Sequence, residues 1–154
     1  MVHVRTATPS DASALGVIIR GQSSQFLVDP DGEEAKRFFE ALEPPAIKKL
    51  MEDPARLYFV AEDEGTIVGI IMVRDKNYIS QFFVAATHQG QGVGRLLWNQ
   101  ALKAAVAAGA SGEFSVSSSL AAEGIYERFG FATTGEPTVE NGFRFVPMHR
   151  AATE

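Results

Sequence analysis

Apolar positions along the chain fall into short runs that switch between strand and helix spacing. Val2–Ala7 reads as a first strand. Thr8-Pro9-Ser10-Asp11 then looks like a helix start: a capping hydroxyl, Pro at the first helical position and an acid in the first turn. Leu15, Ile18 and Ile19 give that helix one apolar stripe. Asp29 to Asp53 is polar and helix-prone, is broken at Pro44-Pro45, and predicts two short helices. Its apolar residues include Phe38, Phe39, Leu42, Ile47, Leu50 and Met51.

Strand spacing takes over next. Leu57–Ala61 and Ile67–Val73 are joined by the turn-rich Asp63-Glu64-Gly65-Thr66, and Tyr78–Ala85 is a third run of the same kind. The second run is almost continuously apolar, as expected of a strand covered on both faces. Residues 92–109 carry the strongest helical pattern, with Leu97, Trp98, Ala101, Leu102, Ala105 and Val106 on one face and Gly109 as a stop. A short strand, Glu113–Ser117, precedes a helix that places Ala122, Ile125, Tyr126 and Phe129 on one side and ends at Gly130. Phe131–Gly135 and Phe143–His149 read as closing strands with Asn141-Gly142 as their turn signal, and Thr138–Asn141 is read as a turn. The order predicts a mixed α/β domain over residues 1–154, without repeats or linkers.

Composition narrows the function more than the fold. Of 154 residues, 45% are apolar and 21% charged, which is ordinary for a globular core. The net charge of -5 gives no broad electrostatic footprint for nucleic acid or an anionic membrane. With no cysteine there is no disulfide, no Cys-based metal site and no Cys nucleophile, which is compatible with the cytoplasm. The polar N-terminal segment lacks the apolar run of a secretory signal, and no apolar stretch is long enough to span a bilayer. His3, His88 and His149 are scattered without ligand spacing, so no metal site is expected.

The informative chemistry lies in Gln89-Gly90-Gln91-Gly92-Val93-Gly94-Arg95, at a strand-to-helix junction. Glycines allow close approach of the backbone and positive φ, and the unpaired N–H groups of a first helical turn favour an anion. Together these make a pyrophosphate site. A P-loop needs Lys-Ser or Lys-Thr after its last Gly, where this chain has Arg95-Leu96. A Rossmann fingerprint needs a Gly at Arg95 and a βαβ context, and here an antiparallel meander precedes the loop.

The spacing matches Gln/Arg-x-x-Gly-x-Gly/Ala, and in this the chain resembles the GNAT superfamily of acetyl-CoA-dependent N-acetyltransferases. QFFVAATHQGQGVGRLLWNQAL looks like that family's core strand, loop and helix, and VSSSLAAEGIYERFGF like its second block. TGEPTVENGFRFVPM is similar to the tail of a bacterial subgroup that mostly lacks known substrates. The resemblance implies a central, mostly antiparallel twisted sheet of about six to seven strands flanked by helices and splayed at the fourth strand. It implies acetyl-CoA as co-substrate, a small-molecule or peptide amine as acceptor, and a homodimer. Phe82, Phe83 and Val84 then lie where the family strand pairs with the pantetheine arm, and the loop from Gln89 to Arg95 where pyrophosphate is gripped. For Arg95, a solvated cation and a phosphate contact are both open.

Tyr126 sits where the family places a tyrosine beside the CoA sulfur, although its helical stripe also fits a core role. Many relatives carry a cofactor-contacting Asn where this chain has Ser117-Ser118-Ser119. Ser117 is the candidate replacement, and a helix-capping run is the other reading. Some relatives place a basic Glu on the strand where this chain has Tyr78-Ile79-Ser80-Gln81. Glu62, Glu113, Glu123 and His88 are candidate bases by type only, and a water chain or an amine bound neutral would also serve. Acceptor specificity is expected from residues 22–56 and the Thr138–Asn141 turn. Gln25, Phe26, Phe38 and Phe39 suggest a partly apolar wall, with Phe38 and Phe39 read first as core. An acidic protein would suit a cationic amine. An acyl-CoA-binding module without turnover, and a nucleotide-binding domain of another class, are the competing readings.

Overall fold

The computed structural model describes residues 1–152. Its strands are β1 (Val2–Thr6), β2 (Arg56–Asp63), β3 (Thr66–Arg74), β4 (Tyr78–Val84), β5 (Phe114–Ser118), β6 (Ala132–Thr133), β7 (Thr138–Glu140) and β8 (Phe143–Arg150). Its helices are α1 (Ala12–Gly21), α2 (Glu33–Glu40), α3 (Pro44–Met51), α4 (Val93–Ala107) and α5 (Glu123–Arg128). The strands form one open sheet in the order β1-β2-β3-β4-β5-β8-β6, and β7 pairs only with β8. Every pairing is antiparallel except β4 with β5, which is parallel. This is the expected mixed fold with its splay at the fourth strand.

Turn chemistry explains the meander. Glu64 and Gly65 have φ of 50° and 83°, and Asn141 and Gly142 have 53° and 83°, the paired positive values of a tight hairpin turn. The Asn141-Gly142 turn extends the ladder further back than the sequence suggests. Thr138–Glu140, read as a turn, is a strand paired with Phe143–Phe145, and Phe131–Gly135 shrinks to the two paired residues of β6.

Two cores cover the sheet. Against one face α4 buries Val93, Leu97, Trp98, Ala101 and Ala105 with Phe114, Phe129 and Phe131. Against the other, α1 and α3 bury Leu15, Ile19 and Ile47 on Tyr58, Val60, Ile70 and Met72. Val106 and Ile125, read as core-facing, are about half exposed (49% and 48%), and Ile18 sits at the edge of its stripe. No described helix is long and apolar enough to cross a membrane.

The helix start at Thr8 is a 3₁₀ turn, Pro9–Asp11, whose buried acid does more than cap. Asp11 accepts from the Thr8 N–H at 2.8 Å and takes both guanidinium nitrogens of Arg5 on β1, at 2.8 and 3.0 Å. The Arg5 hydrogen bonds, with the Thr8 N–H, hold its carboxyl below the usual carboxylate range. Asp11→Asn should therefore cost about 2 kcal/mol at neutral pH, or roughly 4–8 °C in Tm. A depressed native pKa gives stability that is present above the unfolded value near 3.9 and lost as pH falls through the native one. The Tm gap between wild type and Asp11→Asn should accordingly close in melts below about pH 4.

Candidate functional site

A bulge opens the sheet. Val73 pairs with Ile79 and Met72 with Gln81, so Ser80 is an extra residue on β4. β4 and β5 share only the pairs Tyr78–Ser115 and Ile79–Val116 before they part. The resulting wedge widens into a cleft of about 1100 Å³.

One wall of the cleft is backbone. The Ala85 N–H donates to the Val68 carbonyl at 2.8 Å, and the alternation of an antiparallel ladder then turns Phe83 toward Ile70 on β3. Phe82 and Val84 therefore direct their N–H and C=O groups away from β3, into the wedge. The Val84 carbonyl accepts the side-chain amides of Gln22 at 2.6 Å and Gln89 at 3.0 Å, which fixes the orientation of that peptide. The side chains divide in the same way: Phe82 packs beside Tyr126 and Phe129, and Phe83 beside Phe26.

The glycine loop closes one end. Gly90 and Gly92 have φ of 76° and 84°, and a Cβ on either would meet nothing within 4 Å. Backbone conformation rather than crowding selects glycine there. Gly92 is the N-cap of α4, so the unpaired first-turn N–H groups of Val93, Gly94 and Arg95 belong to the same end of the cleft. Gln91 donates to the Thr87 carbonyl at 3.2 Å and braces the loop, while the Arg95 guanidinium lies 5.1 Å from the centroid of the Phe129 ring.

Tyr126 borders the wedge from α5. Its ring is 6% exposed and packs edge-on to Phe82 and Phe131, at centroid distances of 5.9 and 5.4 Å. Its hydroxyl has no hydrogen-bond partner among the described residues. Burial, and then the charge of nearby Tyr78, push the phenol well above its ordinary value, so it is protonated at neutral pH. Ser117 lines the cleft and accepts from the Tyr78 hydroxyl at 3.0 Å. The capping role falls instead on Ser119, whose hydroxyl accepts from the Ala122 N–H.

Of the four candidate bases only His88 lines the cleft. Its ring nitrogens engage Thr87 Oγ1 at 2.7 Å and Asp63 Oδ2 at 2.9 Å. That bond and the N-terminal ammonium hold the Asp63 carboxyl low. Glu62 is paired with Arg5 and His3 at the sheet edge, and Glu113 with His149. Among the described residues no group of three or more His, Asp or Glu side chains is assembled for a metal.

The far side of the wedge is aromatic, and a long-range pairing builds it. The Val28 N–H donates to the Gly142 carbonyl at 3.0 Å and the Arg144 N–H to the Phe26 carbonyl at 2.7 Å, with Leu27 bridged to Phe143. This joins the α1–α2 connection to the β7–β8 turn, and so links part of residues 22–56 with Thr138–Asn141, the regions expected to set specificity. Phe38, read first as core, packs on the α1 core and also lines the cleft. Gln22, Tyr78, Arg128, Glu140 and Arg144 line it as well, and were not singled out as site residues in the sequence. The Gln22 amide had no local signal, because its partner lies 62 residues away.

Comparison with known proteins agrees with this geometry. The family model described as an acetyltransferase (GNAT) domain matches residues 26–152. No curated protein matches the chain significantly. A GCN5-related N-acetyltransferase from Rhodopseudomonas palustris is similar in structure, with TM-score 0.76 and 22% identity over 97% of this chain and 94% of that one. The PaiA N-acetyltransferase from Thermoplasma acidophilum, solved with coenzyme A, gives 0.77 and 15% over 97% and 98%. The ribosomal-protein-S18-alanine N-acetyltransferase from Escherichia coli gives 0.68 and 18% over 100% and 96%.

Proposed function

This chain belongs to the GNAT acetyltransferase family, and from that membership we propose that it transfers an acetyl group from acetyl-CoA directly to a primary amine of a small molecule or peptide. One observation carries the reading. The free edge of β4, the glycine loop and the Tyr126 phenol all border a single cleft. The residues fit the donor: glycines with open space above them, a helix N-terminus for pyrophosphate, and strand amides for an extended polar arm. Acetyl-CoA brings the activated acyl carbon.

The protein's own groups supply the rest. The Val84 N–H faces the wedge and can hold the thioester oxygen as it gains charge. As the amine nitrogen bonds to the acyl carbon and the carbon–sulfur bond breaks, the neutral Tyr126 phenol donates a hydrogen bond to the departing sulfur. The amine proton leaves to water, and the thiolate is protonated from water in turn. The four bases considered offer no carboxylate in the cleft to take that proton. The absence of cysteine also favours direct transfer. A cysteine-free chain suits a reducing cytoplasm, and the family's habit of pairing suits a homodimer.

A second reading, an acyl-CoA-binding module without turnover, is favoured by the lack of a carboxylate on β4. Thiol release from acetyl-CoA in the presence of pooled primary amines separates the two. We expect release that depends on amine. Binding of acetyl-CoA with no release for any amine would leave the module.

A further inference from the structure

The acceptor half of the cleft constrains its ligand more closely than family membership does. Phe26, Phe38, Phe83 and Phe143 form a connected ring cluster. Phe26 lies 5.5, 5.9 and 5.8 Å from the other three, and Phe38 lies 5.3 Å from Phe143. They come from four separate elements, yet all four are half-buried and border the cleft rather than being sealed in the core. A cluster serving only to close the fold would have no need to keep four aromatic faces partly open to a cavity.

The charges lining the cleft have the opposite sign to the protein's total. The chain carries 19 acidic residues against 14 lysines and arginines, yet Glu140 is the only carboxylate among the cleft residues, against four arginines. Arg95 belongs to the loop end, over Phe129. Arg74 stacks on Tyr78 at 4.6 Å and pairs with Asp75 at 3.6 Å, at the end where β4 meets β5. Arg144, tied through its backbone to Phe26, belongs to the acceptor half. The expectation that an acidic protein suits a cationic amine draws no support from the cleft itself, because nearly all the carboxylates lie outside it. An amine with several cationic centres would have to shed water beside the phenyl rings and Arg144, with Glu140 as the one cleft carboxylate to compensate. Among the other polar groups lining the cleft, the amides of Gln25 and Gln81 are neutral and can orient one nitrogen.

Building on the acetyl-transfer reading, we propose that the acceptor is a primary amine with one cationic centre on an aromatic or branched apolar body, seated against Phe26, Phe38 and Phe143, and that polyamines are excluded. Direct binding tests this without turnover. 2-Phenylethylamine and spermidine are titrated separately into the protein saturated with CoA, and acetyl-CoA is titrated into the same variants. We expect 2-phenylethylamine to bind at least about tenfold tighter than spermidine. Phe38→Ala and Phe143→Ala should each weaken it about tenfold, Phe38→Leu should weaken it less, and acetyl-CoA affinity should be unchanged in all three. Tighter binding of spermidine, no binding of 2-phenylethylamine, or indifference to all three substitutions would overturn the proposal. If acetyl-CoA fails to bind while the phenyl amine binds through these rings, the transfer reading falls and the aromatic amine pocket stands.

Discussion

Replacing Tyr126 by Phe is expected to lower kcat about 100-fold while acetyl-CoA affinity stays within about twofold. Magnitude decides which role the phenol plays. A thiol ionises near 8.5, well below a phenol that burial has pushed above its usual value of about 10, so complete proton transfer to the sulfur is uphill. A hydrogen bond to a developing thiolate remains, and a bond to a charged group contributes about 1.5–3 kcal/mol. That range corresponds to roughly 10- to 150-fold in rate. The ring contacts with Phe82 and Phe131 survive the substitution, and the lost hydroxyl has no partner among the described residues. Stability at neutral pH should therefore hold.

The alkaline limb adds an independent check on Tyr126. A native pKa raised above the unfolded value gives stability that is complete below about pH 10 and lost as pH climbs through the native value. Tyr126→Phe should remove that component of alkaline destabilisation. A variant with undiminished kcat in steady-state assays would return Tyr126 to the core.

The second large effect belongs to the glycine loop. Gly92→Val should weaken acetyl-CoA binding by about 100-fold or more, since a branched side chain at φ 84° strains the N-cap and occupies the space over the loop. Gly65 supplies the control: its φ is 83°, it also has nothing within 4 Å, and it lies in the β2–β3 turn. Gly65→Val should cost comparable stability and leave acetyl-CoA affinity unaltered. Equal losses of affinity in the two variants would mean that folding strain, rather than a donor site, explains the effect.

Features encoded in residue type were legible before the structure. The glycine loop, the Asn141-Gly142 turn, the α4 stripe and the break at Pro44 each follow from a backbone or packing requirement that few residues meet. Features that depend on distant partners were not. The bulge at Ser80 opens the sheet, yet serine carries no signal for it. Ile125 follows the helical period of α5 but lies on a six-residue helix at the cleft margin, where the stripe outruns the core. The acceptor wall depends on Phe26–Val28 pairing with Gly142–Arg144, across more than a hundred residues. A net charge sums the whole surface, so it could not show that the cleft is rich in arginine.

A calorimetric titration of acetyl-CoA, with ATP and NAD run in parallel, tests the central claim most directly. The account predicts micromolar binding of acetyl-CoA alone, about -8 kcal/mol. No heat of binding at millimolar acetyl-CoA, or equal binding of ATP, would contradict it and leave the glycine loop as a turn.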